Sequence, residues 1–356
     1  MLSETLIEQI LSRLPFLTIG VLGDLFLDRY LEIDGGLDEP SIETGLVAYQ
    51  VTKVRSLPGA LGTIINNLAA LGVGRIYPIA IIGDDGEGYE LRQALAKMPS
   101  VVQGGIGTWP DRRTPTYTKP MYRERDHAPR ELNRLDIKNH TPTPHGAESM
   151  ILDLLDEAWP QFDALLVLDQ VSAPNTGVIT TRIREKLGEL GEREPSKFIM
   201  ADSRELISQF RNVCVKPNAD EIDRAIEIEA IARQSQDPLD HFELRLVEMA
   251  RRVGRTVFCT LGGYGIQVRQ PDVGDPFTAA VRAPGYPVFG PIDPVGAGDS
   301  TSAGIACAVA SGLTDEQAAA FGNLVASITI QQIGTTGTAT PDQVRERWQQ
   351  VKPGKV

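Results

Sequence analysis

Residues Asp293–Thr301 read DPVGAGDST, in which two glycines surround an alanine and a carboxylate opens an apolar, small-residue run. Gly296 and Gly298 permit backbone angles closed to other residues, so successive N–H groups can point at one place at the start of a helix. The stretch therefore predicts a pocket for negative charge. Asp299 is suited to remove a proton from a hydroxyl while the amides stabilise a transferring phosphoryl group. The alternative is an ordinary helix N-terminal acid without a function.

Before this stretch, apolar runs that end in Gly, Asp or Asn alternate with longer segments of helical period. That pattern predicts an α/β fold with a mostly parallel central sheet covered by helices. Four of the runs end near a polar residue, namely Asp169, Asp202, Asn218 and Thr260. Because ligands bind beyond the carboxyl ends of parallel strands, we expect these side chains to border one cleft, unless they are turn residues only.

Two segments, about 30–57 and 108–136, break the alternation. Both contain short stretches of β-type alternation, such as LVAYQVTKVR and TPTYTKPMYR, and neither has room for a crossover helix. They predict the strands of a small β-lid inserted in a single domain that spans residues 1–356. Exposed strand edges in such a lid favour a homodimer through it.

The overall charge and the cysteines limit the class of protein. Lys and Arg total 35 against 47 Asp and Glu, a formal net charge of -12, which disfavours nucleic acid and anionic membrane surfaces as partners. The three cysteines form no CxxC pair, as expected of buried thiols in a reducing compartment. The chain shows no signal-peptide pattern and no run of about 18 apolar residues. We therefore expect a soluble cytoplasmic protein.

DPVGAGDS resembles the carboxy-terminal signature of the ribokinase-like carbohydrate kinases, the PfkB family. The resemblance implies a three-layer αβα sandwich with an inserted β-lid, and a transfer of phosphate from ATP, with Mg²⁺, to a sugar hydroxyl. It makes Asp299 the catalytic base and assigns the anion hole to Gly296, Ala297 and Gly298. Activation by a monovalent cation such as K⁺ also occurs in the family and would involve the loop around Asp293.

Two further stretches carry the resemblance on the nucleotide side. KPNADE is similar to the N-x-x-E element of the family, which implies that Asn218 and Glu221 help to place Mg²⁺ through water. The same spacing suits a helix N-cap with a capping-box Glu, and the two roles are compatible. TLGGYG resembles a turn near the nucleotide, which implies contacts from Thr260, Gly262 and Gly265.

GDLFLDRY is similar to a subgroup of the family that phosphorylates heptose 7-phosphate, and PGALGTIINNLAALG and RTPTYTKPM extend the similarity. By this resemblance Asp24, Gly59, Thr63 and Lys119 contact the acceptor. The family usually carries Gly-Gly and an Asn where this chain has Gly59-Ala60 and Thr63. The acceptor is therefore heptose 7-phosphate or another molecule of the ribose, fructose or nucleoside type. A sensor that binds nucleotide or sugar without turnover is the remaining alternative.

Several cations have no assigned role at this point. Arg112 is one of five in the second lid segment, and they either attract a phosphorylated acceptor or are balanced by neighbouring acids. Arg204, at the end of the ADSR stretch, either reaches a phosphate or is solvated.

Overall fold

The computed structural model describes residues 2–125, 127–227, 238–271, 281–334 and 336–352, and of 238–240 the backbone alone. The helices are α1 (Glu4–Arg13), α2 (Leu61–Leu71), α3 (Gly86–Leu95), α4 (His145–Ala158), α5 (Thr181–Arg193), α6 (Ala219–Ala225), α7 (Pro238–Val253), α8 (Ala297–Ala310), α9 (Asp315–Thr329) and α10 (Pro341–Val351). None of these helices is both long enough and apolar enough to span a bilayer.

The strands fall into a large sheet and a lid. They are β1 (Thr18–Gly23), β2 (Leu25–Asp34), β3 (Glu39–Pro40), β4 (Val47–Ala48), β5 (Val51–Ala60), β6 (Arg75–Ile82), β7 (Ile106–Thr108), β8 (Thr116–Arg123), β9 (Arg130–Glu131), β10 (Leu135–Ile137), β11 (Ala164–Asp169), β12 (Phe198–Ser203), β13 (Cys214–Val215), β14 (Val257–Thr260), β15 (Ile266–Arg269) and β16 (Val281–Ala283).

The large sheet has the order β16-β15-β14-β13-β12-β11-β1-β6-β7. In this order, neighbouring strands from β7 to β14 run parallel to each other. β15 runs antiparallel to β14, and β16 runs antiparallel to β15. One face packs against α1, α2, α3, α8, α9 and α10, and the other packs against α4, α5, α6 and α7. Burial on both faces explains the continuous apolar runs, since β11 is buried along its whole length. The predicted α/β architecture with a mostly parallel sheet is therefore present.

The lid is a separate sheet of order β10-β8-β2-β5, with β9 paired to β8. It begins at Leu25 rather than near residue 30, because β2 follows β1 after a single residue, Asp24. Leu25, Phe26 and Leu27 are buried, so in the sequence they look like the end of a core strand. The second lid segment starts at Thr116 rather than at 108, since β7 belongs to the edge of the large sheet.

The lid joins α2 through an unusual backbone conformation at Ala60. Its φ and ψ are 49° and −114°, a region that glycine adopts far more readily than alanine. The next N–H, of Leu61, donates to the Asp24 carbonyl at 3.0 Å, which ties the start of α2 to the end of β1. At its other end α2 stops at Gly72, in the left-handed conformation expected of a C-terminal glycine.

Candidate active site

One cleft at the carboxyl ends of the parallel strands gathers six of the thirteen site residues predicted from the sequence. Its volume is about 290 Å³. The four strand-end side chains border it, together with the glycine turn; the lining residues are Leu168, Asp169, Gln170, Asp202, Arg204, Lys216, Asn218, Glu221, Thr260, Gly296, Gly298 and Asp299. We call this the transfer cleft.

The glycine turn opens α8 on the cleft. Gly296 has a φ of 79°, in the left-handed region, and no side chain of the described residues caps the helix. The Ala297 N–H donates to the Pro294 carbonyl at 3.1 Å, so this amide is used within the turn rather than in an anion hole as the resemblance implied. The N–H groups of Gly298 and Asp299 lie in the first turn of α8, where amides have no intrahelical acceptor. These two amides and the helix dipole form the positive end of the cleft.

The Asp299 carboxyl is poised to exchange a proton near neutrality. Its removal from water, followed by the negative charge of Asp202, raises its pKa to about 7, although the charges of Lys216 and Arg204 act in the opposite direction. A carboxyl with such a pKa can accept a proton from a hydroxyl and release it again at neutral pH.

Asn218 and Glu221 form the capping box of α6. The Glu221 N–H donates to Asn218 Oδ1 and the Asn218 N–H donates to Glu221 Oε2, both at 2.8 Å. Burial raises the pKa of Glu221, and the charge of Asp202 adds to that effect. No group of three or more His, Cys, Asp or Glu residues able to hold a metal occurs in the part of the chain that the structure describes. Two polar oxygens without a protein cage suit Mg²⁺, which keeps several waters and binds phosphate oxygens.

The three residues assigned to the nucleotide turn separate in the structure. Thr260 lies on the wall of the transfer cleft, whereas Gly262 and Gly265 do not. Gly262 is exposed, with a φ of 55°. Gly265 has a φ of 96°, and a Cβ there would lie 2.1 Å from the Ala283 carbonyl oxygen. Gly265 is therefore required by the backbone packing of the turn.

Asp24, assigned to the acceptor, is only 3% exposed and accepts three backbone hydrogen bonds. The N–H groups of Gln170, Val171 and Val178 donate to its two oxygens at 2.9, 3.2 and 2.7 Å. The carboxylate therefore organises the loop after β11, and most of its capacity to accept hydrogen bonds is already used.

The other acceptor residues lie on the lid and beside the glycine turn. Lys119 donates to Asp28 Oδ2 at 3.0 Å and to the Tyr30 hydroxyl at 3.1 Å. A Cβ at Gly59 would lie 2.8 Å from the Asp28 carboxyl carbon, so the carboxylate rests directly on this glycine. The Thr63 methyl lies 3.4 Å from the place that a Cβ at Gly296 would take. The lid thus contributes Asp28 with Lys119, and α2 contributes Thr63.

Comparison with known proteins decides the family. Residues 31–343 match the pattern that describes a pfkB family carbohydrate kinase. The chain belongs to the pfkB family of carbohydrate kinases. Bifunctional protein HldE of Trichlorobacter lovleyi is 27% identical over 354 residues, which cover 96% of this chain and 65% of that protein. The chain therefore spans about two thirds of the length of this relative.

Solved structures confirm the ribokinase-like fold of this pfkB family member. Arabidopsis thaliana ribokinase complexed with ribose and ATP superposes with a TM-score of 0.63 at 15% identity, covering 93% of this chain and 98% of the other. A putative ribokinase II from E. coli in complex with ATP and Mg²⁺ gives 0.62 at 15% identity, covering 94% and 99%. At these identities the likeness concerns the fold alone.

Lys216 is a cleft residue of this pfkB kinase to which the sequence reasoning gave no role. Its ammonium lies 2.7 Å from Asp202 Oδ2, and the side chain is 4% exposed. A Cβ at Gly298 would lie 3.5 Å from Lys216 Nζ, so the cation lies beside the open amides. Burial by itself lowers the pKa of Lys216, but the charge and hydrogen bond of Asp202 together with the charges of Asp299 and Glu221 raise it above its usual value, and the side chain stays charged. The sequence feature that could have identified Lys216 is its position directly after a buried strand.

Proposed function

We propose that the chain is an ATP- and Mg²⁺-dependent kinase that phosphorylates a hydroxyl of a sugar or sugar phosphate. One observation carries the proposal: the Asp299 carboxyl, with a pKa of about 7, lies on the same cleft as the open amides of α8 and the Lys216 ammonium. A base, an anion site and a buried cation at one place are what phosphoryl transfer to an alcohol requires.

In the proposed reaction Asp299 accepts the proton of the acceptor hydroxyl. The hydroxyl oxygen forms a bond to the terminal phosphorus, the bond from that phosphorus to the bridging oxygen breaks, and its electron pair leaves on ADP. The N–H groups of Gly298 and Asp299, with Lys216, stabilise the charge on the phosphoryl oxygens. Mg²⁺, held through water by Asn218 and Glu221, would neutralise the charge of the ATP phosphates.

The acceptor and the cellular setting are part of the proposal. Heptose 7-phosphate is the first acceptor to test, because GDLFLDRY and the stretches that follow it resemble kinases of that substrate. Sugars such as ribose and fructose, and nucleosides, are next. The cysteines are buried free thiols, as expected of a cytoplasmic protein. K⁺ is included in the proposal because the loop around Asp293 is held by hydrogen bonds. The Asp293 carboxylate accepts hydrogen bonds from the N–H groups of Val295 at 3.1 Å and Gly334 at 3.3 Å.

The proposal is tested by Asp299→Asn. Loss of the base should lower kcat about 10²- to 10⁴-fold in an assay of acceptor-dependent ADP release, while calorimetry shows ATP still bound. Asp342→Asn is the matched control, because Asp342 is also a first-turn helix acid but lies exposed on α10. Equal activity of the two variants would contradict the assignment of the base. ATP binding without ADP release over a panel of sugars, sugar phosphates and nucleosides would support the sensor instead.

A further inference from the structure

One face of the lid sheet is joined to α3 by polar contacts that the functions proposed above do not use. In the antiparallel pair of β2 and β5, Arg29 lies directly opposite Ser56. Arg29 donates to Glu90 of α3 through Nε at 3.1 Å and through Nη2 at 2.6 Å, and Ser56 Oγ donates to Glu90 Oε2 at 2.6 Å. One carboxylate of α3 therefore accepts hydrogen bonds from two strands of the lid.

A second acid of α3, Glu87, extends these contacts. Arg29 Nη1 donates to Glu87 Oε1 at 3.3 Å, and Arg113, which precedes β8, donates to Glu87 Oε2 at 2.9 Å. Arg113 Nε also lies 3.1 Å from Oδ2 of Asp85, the residue that caps α3. We define the lid latch as the set Arg29, Ser56, Glu87, Glu90 and Arg113.

The helix that carries the two acids is itself fixed to the large sheet. Leu91 and Leu95 of α3 are fully buried in the core on that side of the sheet. Arg92 Nη2 donates to the Ile106 carbonyl at 2.8 Å and to Thr108 Oγ1 at 3.1 Å, and both of these residues belong to β7. The lid latch therefore connects the lid to the body of the molecule rather than one part of the lid to another.

The opposite face of the same lid strands carries the lid residues assigned to the acceptor. Side chains alternate between the two faces of a strand, so Asp28 and Tyr30 face away from the side that bears Arg29. Lys119 of β8 donates to both of them, as described above. A contact that holds Arg29 against α3 therefore also fixes the position of Asp28 and Lys119 relative to the body.

The contacts of the lid latch are well formed but accessible to water. The fork of Arg29 meets both oxygens of Glu90, which is the geometry in which an arginine and a carboxylate bind each other best. The two side chains are nevertheless 19% and 35% exposed, so water and salt compete with the pair. A pair of this kind can hold the lid and still release it.

We propose that Arg29 and Glu90 are positioning residues, which hold the lid against α3 and thereby keep Asp28 and Lys119 in place for the acceptor. This inference rests on the proposed kinase function. The apparent affinity for the acceptor then falls in proportion to the fraction of molecules in which the latch is formed. Salt lowers that fraction, because it screens partly exposed charges. Once the acceptor is bound the lid is in place, so the chemical step at Asp299 is unaffected.

The lid latch is tested first without substrates, by hydrogen exchange of the whole protein followed by mass spectrometry. Arg29→Met removes the cation. Arg345→Met is the matched control, because Arg345 makes an equally bidentate pair with Glu8 that joins α10 to α1. We expect amide exchange in β2 and β5 to be at least about fivefold faster in Arg29→Met, with no change in β12 and none in Arg345→Met. Raising KCl from about 50 mM to about 500 mM should have the same effect on the wild type and little effect on Arg29→Met.

Kinetic measurements then separate a positioning role from a merely structural one. Heptose 7-phosphate, ribose and fructose are tried as acceptors, and those that cause ADP release are used. In Arg29→Met the acceptor KM should rise at least about fivefold while kcat stays within about twofold of the wild type. Arg29→Lys, which keeps the charge without the planar fork, should give an intermediate KM. Glu90→Gln should add little to Arg29→Met, because the two residues act as a pair.

Exchange in β2 and β5 that Arg29→Met leaves unchanged overturns the inference. An equal rise in β12 also overturns it, since it would show a general loss of stability, and so does a fall in kcat with the acceptor KM unchanged. The outcome is separate from that of the kinase proposal, because exchange is measured without ATP or acceptor and Asp299→Asn should leave it unchanged.

Discussion

Asp299 has a neighbour with nearly the same acidity, and the two must be distinguished before a pH profile can be interpreted. Burial raises the pKa of Asp169 to about 7, as it does for Asp299, but the second cause differs. For Asp169 the second cause is the charge of Asp24, and a hydrogen bond from Ser203 Oγ at 2.8 Å acts against the shift. For Asp299 it is the charge of Asp202.

We predict that kcat/KM rises with pH through about 7, because a general base works only when its proton is off and the Asp299 pKa is raised to about 7. Asp202→Asn removes a negative charge and should move this acid limb to lower pH. Lys216→Met removes a positive charge and should move it to higher pH. Ser203→Ala changes the pKa of Asp169 alone and should leave the acid limb of the kcat/KM profile in place. If the acid limb moves in Ser203→Ala, Asp169 rather than Asp299 is the group that titrates.

At the level of single residues, the sequence predicted the acids and glycines of the transfer cleft because their spacing is local. Asp299, Asn218 and Glu221 all lie on one cleft. The sequence could not predict which amides remain open, since that depends on the hydrogen bond from Ala297 to Pro294. It could not predict the pairing of Lys216 with Asp202 either, because neighbouring strands of a parallel sheet bring those two side chains together.

The junction of β5 and α2 stores backbone strain at Ala60. Alanine with φ 49° and ψ −114° lies in a region where non-glycine residues cost about 1–3 kcal/mol. The strain persists because the residue is fixed on both sides: Ala60 pairs with Leu25 in the lid sheet, and Leu61 is bonded to the Asp24 carbonyl.

We predict that Ala60→Gly raises the free energy of unfolding by about 1 kcal/mol, because relief of the strain exceeds the extra entropy that glycine gives the unfolded chain. Urea denaturation followed by circular dichroism measures the change. Ala70→Gly, within the adjoining helix α2, is the control and should lower the free energy of unfolding by about 1 kcal/mol. Similar losses in both variants would contradict the strain at residue 60.

At the level of elements, the period of the apolar residues was enough to predict the parallel sheet, and Gly72 was enough to predict the end of α2. The start of the lid was predicted about five residues late. Burial of Leu25–Leu27 makes β2 indistinguishable from a core strand by composition, and only its pairing with β5 and β8 shows that it belongs to the lid.

The lid has apolar side chains that no other part of the described chain covers. Ile42, Leu46, Tyr49 and Val54 are at least half exposed, and β5 is an edge of the lid sheet. An apolar surface of this kind next to an open strand edge is suited to a second copy of the chain.

We predict a homodimer through the lid, measured by light scattering after size-exclusion chromatography. Leu46→Glu should raise the dissociation constant of the dimer at least tenfold and so favour the monomer, because it places a charge in the buried interface. Phe16→Glu, at an exposed aromatic residue next to β1 and outside the lid, should have no effect. A monomeric wild type at micromolar concentration would refute the dimer, as would identical behaviour of the two variants.

Only Asp24 separates β1 from β2, and this brevity has a mechanical consequence. The connection has no slack, so a swing of the lid must rotate the main chain at that one residue. Because the Asp24 carboxylate also accepts hydrogen bonds from the loop after β11, such a rotation would displace this loop, which borders the transfer cleft at Gln170. Movement of the lid and movement of the loop after β11 are thus mechanically coupled through a single residue, Asp24.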